Sequence, residues 1–203
     1  MRGIRACAFA TLDRNGLPAV RIIDVMLKEE EGRLFFCTAR GKDFCKELLA
    51  NSTVAVIGLN DKWQTVHLMG RAERLADAEQ HAMIDRIFEE NPSMNEVYPG
   101  DTHYILEAFV IAEGSIEFFD LRQSPICCES LALEKASVTE KDFFITEVCI
   151  GCGTCASLCQ QQCIEDGGSL RARFFQKIPD KTGNSGRTER NRGMILHFFH
   201  GKL

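Results

Sequence analysis

Almost every apolar run in residues 1–121 has the length of a strand and is closed by a turn signal, and this pattern narrows the fold more than any other feature of the chain. Residues 8–12 lead into Asp13-Arg14-Asn15-Gly16, and Asn-Gly between apolar runs is a hairpin signal because tight hairpin turns need residues that tolerate positive φ. A β-rich run follows over 19–27, then a turn over 29–32 and a third strand over 33–38. Residues 42–50 switch to helical spacing, with Phe44, Leu48 and Leu49 predicted on one face. The β-branched run 53–59 reads as a buried strand, and 63–75 is long enough to cross a barrel wall. Asp77 with Gln80 three residues on predicts a capped helix, its stripe formed by Ala82, Met83, Ile84, Ile87 and Phe88 and its end set by Asn91-Pro92. Residues 104–112 and 115–121 read as two strands paired around Glu113-Gly114. Many hairpin-joined strands and little helix predict a mainly β (α+β) chain, a small antiparallel barrel with helices outside it.

The chain has 203 residues, 45% of them apolar, enough for one domain with a real core and a small appendage. No apolar run approaches the roughly 20 residues that a membrane helix needs. No targeting segment is recognised, so the expected location is cytoplasmic. The net charge of −5 is uneven: residues 171–203 carry eight Lys/Arg against two Asp/Glu, a balance of +6, which leaves −11 on the rest. Such a tail can be a nucleic-acid or membrane arm, or simply a solvated basic segment. The second reading is adopted, with no nucleic acid and no membrane as partner.

Ten cysteines in a chain expected to be cytoplasmic suggest thiols and metal ligation rather than disulfides. Four fall within eleven residues, Cys149-Ile-Gly-Cys152-Gly-Thr-Cys155-Ala-Ser-Leu-Cys159. C-x2-C-x2-C-x3-C is a ferredoxin-type spacing, whose short steps curl successive thiolates around one face of a 4Fe-4S cluster. Gly151 and Gly153 permit positive φ there and free backbone N–H groups to approach the cluster sulfides. Structural zinc more often takes two pairs of ligands set a dozen or more residues apart, and inert or redox thiols are a further alternative. Gln160 follows Cys159 where two-cluster ferredoxins have proline, and no second motif follows. The expected ligands are Cys149, Cys152, Cys155 and Cys159, with Cys163, which sits where ferredoxins often have a buried small residue, as the alternative fourth ligand.

The run Phe9-Ala10-Thr11-Leu12-Asp13-Arg14-Asn15-Gly16-Leu17-Pro18-Ala19-Val20-Arg21 resembles the opening hairpin of the pyridoxamine 5′-phosphate oxidase-like, FMN-binding split-barrel proteins. Leu34-Phe35-Phe36-Cys37-Thr38 followed by a lysine-bearing loop, a short helix, Asn51 and a buried strand is similar to the same family, as is Gly70-Arg71-Ala72-Glu73-Arg74-Leu75. The resemblance spans roughly residues 5–121 and includes members with a ferredoxin-like tail. It implies a six-stranded antiparallel split β-barrel with flanking helices, a homodimer, and FMN in a groove between subunits. Carried over by position, Arg21, Ile22 and Ile23 approach the flavin, Thr38 and Lys42 fall at its phosphate end, and Gln64 contacts the ring. Cations and donors suit a dianionic phosphate. Arg40 stands where the true oxidases have a basic pair, and their C-terminal substrate motif is missing, so the resemblance points to nitroimidazole reductase-like chemistry before pyridoxamine phosphate oxidation.

The expected organisation is a barrel domain over 1–122, a linker over 123–140, a ferredoxin-type segment over 141–168 and a basic, poorly ordered tail over 169–203. The expected function is an FMN-dependent oxidoreductase that exchanges electrons with the cluster, a small-molecule substrate and an electron-transfer partner. The alternative is a non-catalytic flavin/iron–sulfur sensor or ligand-binding protein. Lesser features have ordinary explanations: Cys127-Cys128 as reduced thiols, Cys37 as a small core residue, His67 and His103 as packed or ligand-facing imidazoles, and His197 with His200 as a chance i, i+3 pair.

Overall fold

The computed structural model describes residues 6–29, 32–122, 127–134, 143–144, 150–158, 164–165 and 171–172. The hairpin β1 (Ala6–Leu12) and β2 (Pro18–Asp24) forms as the turn predicts, but the run beyond it breaks at Val25-Met26 before the short β3 (Leu27–Lys28). Then come β4 (Leu34–Ala39), α1 (Asp43–Ala50), β5 (Thr53–Leu59), β6 (Gln64–Arg74), α2 (Asp77–Glu90), α3 (Met94–Val97), a 3-10 helix (Gly100–Ile105), β7 (Leu106–Asp120) and β8 (Cys127–Glu134). These strands form one antiparallel sheet of eight rather than six, ordered β2-β1-β5-β6-β7-β4-β3, with β8 also on β7.

Two residues join β2, at one end of that order, to β3 at the other. Val25 and Met26 span about 10 Å at most, counted from the last residue of β2 to the first of β3. The sheet must therefore curl until its ends nearly meet. Inside the curl lies one core of Phe9, Phe36, Phe109, Phe118, Leu34, Leu68 and their neighbours, plugged by Phe44, Cys45 and Leu48 of α1. Cys45, not the exposed Leu49, completes the apolar face of this helix. Outside it, α2 lays Ile84, Ile87 and Phe88 on Phe35, Cys37, Leu106 and Ala108. β4 is thus buried on both faces, which explains its unbroken apolar run.

Three local expectations are corrected. Asp77 lies inside the first turn of α2, after an N-cap at Ala76, and pairs with Arg74 instead of capping. Gln80 does not accept from the N-cap N–H as a capping box requires; its amide clamps β7, accepting from the Ala108 N–H (2.8 Å) and donating to the Ala108 and Leu75 carbonyls. Glu113-Gly114 is not a turn either, because β7 runs straight through it for 15 residues. Gly114 faces Gly70 of β6 just before a bulge at Arg71/Ala72. A Cβ on Gly114 would lie 2.5 Å from the Met69 carbonyl oxygen and 2.9 Å from the Gly70 Cα, so the glycine serves close approach.

The expected linker over 123–140 contains β8, paired with β7 from Glu113↔Glu134 to Asp120↔Cys127. Past the bulge β7 needs a partner on the side that β4 leaves free, and β8 supplies it. A separate three-stranded sheet joins β9 (Phe143–Phe144), β10 (Ile164–Glu165) and β11 (Arg171–Ala172). The expected boundary at residue 168 falls inside this sheet, since Arg171 pairs with both Glu165 and Phe144. The remainder of the expected tail, with His197 and His200, lies outside the described residues.

Gly114→Ala should destabilise the barrel by about 1–3 kcal/mol, because both obstructing groups are backbone. Gly41→Ala, with nothing within 4 Å of the added carbon, should leave the melting temperature unchanged. Equal melting curves for the two variants would show that the Gly70–Gly114 approach is not a constraint.

Candidate functional site

Alternation along β2 turns Arg21 to the inner side, opposite Phe9. Its Nη1 donates to Glu47 Oε2 (2.7 Å) and to Thr11 Oγ1 (2.8 Å), while the Thr11 hydroxyl donates to the same Glu47 oxygen (2.5 Å). The guanidinium carbon stands 4.7 Å from the Phe44 ring centre. Burial by itself would raise the Glu47 pKa, but the Arg21 and Thr11 hydrogen bonds and the Arg21 charge outweigh it and hold the carboxyl below its ordinary value. Arg21 is therefore not a rim charge. Three elements, β1, β2 and α1, meet at it.

The loop from β4 to α1 carries the other basic candidates. Thr38 is buried in β4, opposite Glu107. Arg40 is tied down: its Nε lies 2.9 Å from Glu107, its Nη2 donates to the Tyr104 carbonyl (2.5 Å), and its backbone N–H donates to the Ile105 carbonyl. Arg74 binds the other Glu107 oxygen, and its Nη1 lies 2.6 Å from Asp77. A buried carboxylate between two guanidiniums thus fixes the loop on β7. Lys42, the N-cap of α1, is exposed and makes no ion pair among the described residues. No side chain caps that helix start, whose free N–H groups and dipole favour an anion. Lys42, the opening turn of α1 and the Arg21–Phe44 stack are neighbours along one short helix.

Ile22 and Ile23 diverge. Ile23 packs on the core, and Ile22 is 67% exposed on the outer face. β2 has one ladder partner, so backbone groups along its other edge face no strand among the described residues and can take ligand hydrogen bonds. Gln64 does not join this group. It pairs with Asp120 at the far end of β7 from Thr38, roughly 40 Å away along the strand. Its amide donates to Asp120 Oδ2 (2.8 Å) and accepts from Asn60 Nδ2 (2.9 Å).

The outer face of β2-β1-β5-β6 has no cover among the described residues. The register aligns Val20 and Ile22 with Ala10 and Ala8, these with Ala55 and Ile57, and those with Met69 and His67. Val20, Ile22, Ile57 and Met69 are all exposed, a contiguous apolar patch of the kind that marks an interface. His67 sits at its margin, 5.4 Å from the Phe119 ring, whereas His103 is wedged between Phe88 and Tyr104 beside Asp85.

Among the cysteines, burial pushes Cys7 and Cys37 up to about 12, with Asp24 adding to the rise at Cys7 and Lys42 opposing it at Cys37, so both stay protonated. Cys37 is the small core residue expected. In the four-cysteine motif Gly151 and Gly153 do adopt positive φ, +68° and +70°, and α4 (Thr154–Leu158) follows at once. Cys152 and Cys155 are exposed free thiols, and the Thr154 hydroxyl and N–H hold Cys152 below its ordinary value. Cys149, Cys159 and Cys163 lie outside the described residues, and no metal-holding group of three His, Cys, Asp or Glu occurs among the described ones. The side chains of Cys127 and Cys128 likewise lie outside them.

Sequence reasoning missed Thr11, Glu47 and Glu107. A lone Glu107 inside the apolar run Leu106-Glu-Ala-Phe-Val-Ile was a usable signal. Nothing local marks Thr11 or Glu47, which become partners only through the fold.

Because its folded pKa is depressed, Glu47 contributes stability that is present above the ordinary carboxylate pKa and is lost as pH falls through the folded value. Glu47→Gln should cost about 1–3 kcal/mol near neutral pH in urea unfolding, and the gap to the native chain should close in acid. A gap independent of pH would remove the ion pair from the account.

The pyridoxamine 5′-phosphate oxidase family model matches residues 1–112. No curated protein matches the sequence. Among solved structures, a NimC/NimA family protein of Clostridium acetobutylicum superposes with a TM-score of 0.54 at 20% identity, covering 64% of this chain and 85% of that one. An FMN-binding protein of Nostoc punctiforme related to pyridoxamine 5′-phosphate oxidase gives 0.51 at 16%, covering 64% and 87%. A heme-binding protein of Mycobacterium smegmatis gives 0.50 at 14%, covering 64% and 53%. At such identities the structural likeness concerns the fold. The family model spans more than half the chain, which therefore belongs to the pyridoxamine 5′-phosphate oxidase family.

Proposed function

We propose that two copies of the barrel meet through the bare outer face, bind FMN between them and act as a flavin-dependent oxidoreductase. The observation that carries this is the uncommitted Lys42 at an uncapped helix start, beside an edge strand with free backbone groups. That donor set fits a phosphate and the polar edge of a flavin ring, and the FMN-binding relative of Nostoc shares the fold. Bound there, FMN supplies a centre that accepts two electrons and releases them singly. Lys42 and the α1 N–H groups hold the phosphate, Thr38 belongs to the same end, and Ile22 and Ile23 present backbone groups. Glu47 and Phe44 keep Arg21 oriented, and Gln64 reaches a ring only if a second copy brings it there. The proposed substrate is a small organic acceptor or donor, such as a nitroaromatic or quinone, and the proposed setting is the cytoplasm. No helix among the described residues is long and apolar enough to cross a membrane.

We also propose that Cys149, Cys152, Cys155 and Cys159 hold a 4Fe-4S cluster that exchanges electrons with the flavin, with Cys163 as the alternative fourth ligand. The motif spacing and the positive φ of both glycines support it. A second reading, a non-catalytic ligand-binding or redox-sensing protein, draws on the heme-binding relative of the same fold. Chemically reduced flavin that nitroaromatics, quinones and oxygen all fail to reoxidise would favour that reading.

Titration with FMN and riboflavin tests the phosphate end. Lys42→Ala should weaken FMN by about tenfold or more, the size of one lost charge-assisted contact, and leave riboflavin unchanged. Equal weakening of both would contradict the assignment of Lys42. Ile57→Asp should give a monomer that no longer retains FMN, and a dimer by sedimentation would show that another face is used. Anaerobically purified protein should carry about four iron atoms per chain and lose them in Cys152→Ser, whereas iron-free native protein would remove the cluster from the account.

A further inference from the structure

Trp63, the single tryptophan of the chain, is the one non-glycine among the described residues with positive φ, +58°. For a bulky aromatic this backbone is strained, and such strain persists only where the surroundings over-determine it. They do so here. Asn60 Oδ1 accepts from the N–H groups of Lys62 (2.9 Å) and Gln64 (3.0 Å), the Trp63 N–H donates to the Asn60 carbonyl (3.1 Å), and the Gln64 amide ties the turn to Asp120. Yet the Trp63 side chain is 64% exposed, so packing within the subunit does not explain it. The turn follows Leu59, which shares the bare outer face with Ile57 two residues earlier. A rigid turn thus displays the largest apolar side chain at the rim of the patch proposed to meet a second copy.

We propose that Trp63, delivered by the second copy, is the stacking wall of the flavin ring site, with Gln64 serving to pin its turn. This rests on the flavin reading above and deepens it. Gln64 has both ends of its amide engaged within the subunit, whereas the neighbouring indole offers a wide, electron-rich face suited to an electron-poor planar ring. The hydrogen bonds that hold this strained backbone fix the point from which the indole leaves the turn.

The test is Trp63→Gly in the full chain, since glycine takes this backbone without strain. The melting temperature should stay the same or rise. Affinity for FMN and for riboflavin should fall together by about three- to tenfold, because the lost contact is to the ring and not to the phosphate. Flavin emission, quenched in the native complex by contact with the indole, should recover in the variant. A variant that binds both flavins with native affinity and native quenching would overturn the role of Trp63 while leaving the flavin reading intact. A lower melting temperature with unchanged binding would overturn it in favour of packing. Failure of the native chain to bind either flavin would overturn both.

Discussion

Val25 and Met26 are the only residues between β2, at one end of the sheet order, and β3, at the other. A connection this short curls the sheet until its two edges approach without pairing, and the remaining architecture follows. The concave side becomes a single aromatic core with α1 as its plug. The convex side is divided, because α2 covers β4 and the adjacent part of β7 while β2-β1-β5-β6 have no cover among the described residues. β7 holds the two regions together, pairing with β6 from Phe109 to Asp120 and successively with β4 and β8. Its bulge and the Gly70–Gly114 contact let one strand serve both regions.

Charge is distributed by the same geometry. Arg21 is tied to Glu47, and Arg40 and Arg74 share Glu107, so these three arginines fix elements to one another. Ion pairs of this kind are costly to break singly, since removing one partner leaves a charge without its counterpart. Lys42 stands apart, exposed at a helix start and in no ion pair among the described residues, with Asp43 beside it paired to Lys46. Positive charge is thus available at the mouth of α1 while the frame around it stays electrically satisfied. An anion can enter there without dismantling a structural pair.

Much of the barrel was legible because its cues are local. The Asn15-Gly16 hairpin, the apolar β4 and the helical spacing of α1 and α2 are each written within a few residues. What was misread depends on partners distant in sequence. Glu113-Gly114 looks like a turn until Gly70 is placed against it, and the segment around Cys127-Cys128 looks like a linker until β7 is known to have a free flank. Gln80 imitates a cap residue but clamps Ala108. At the site, Lys42 and the β2 residues Arg21, Ile22 and Ile23 entered as positions carried over from the resemblance, while the contacts of Thr11, Glu47 and Glu107 emerge only when three or more elements converge. Trp63 was unremarkable as a letter; its backbone angle and exposure single it out.

In the proposed function FMN binds to a pair of barrels. Sedimentation velocity of the FMN-loaded protein, followed at about 450 nm where oxidised flavin absorbs, tests it directly. The expected result is one boundary carrying the flavin absorbance at twice the 22.8 kDa mass of the chain. Flavin absorbance that sediments with a single chain, or that stays behind while the protein sediments, would contradict the account.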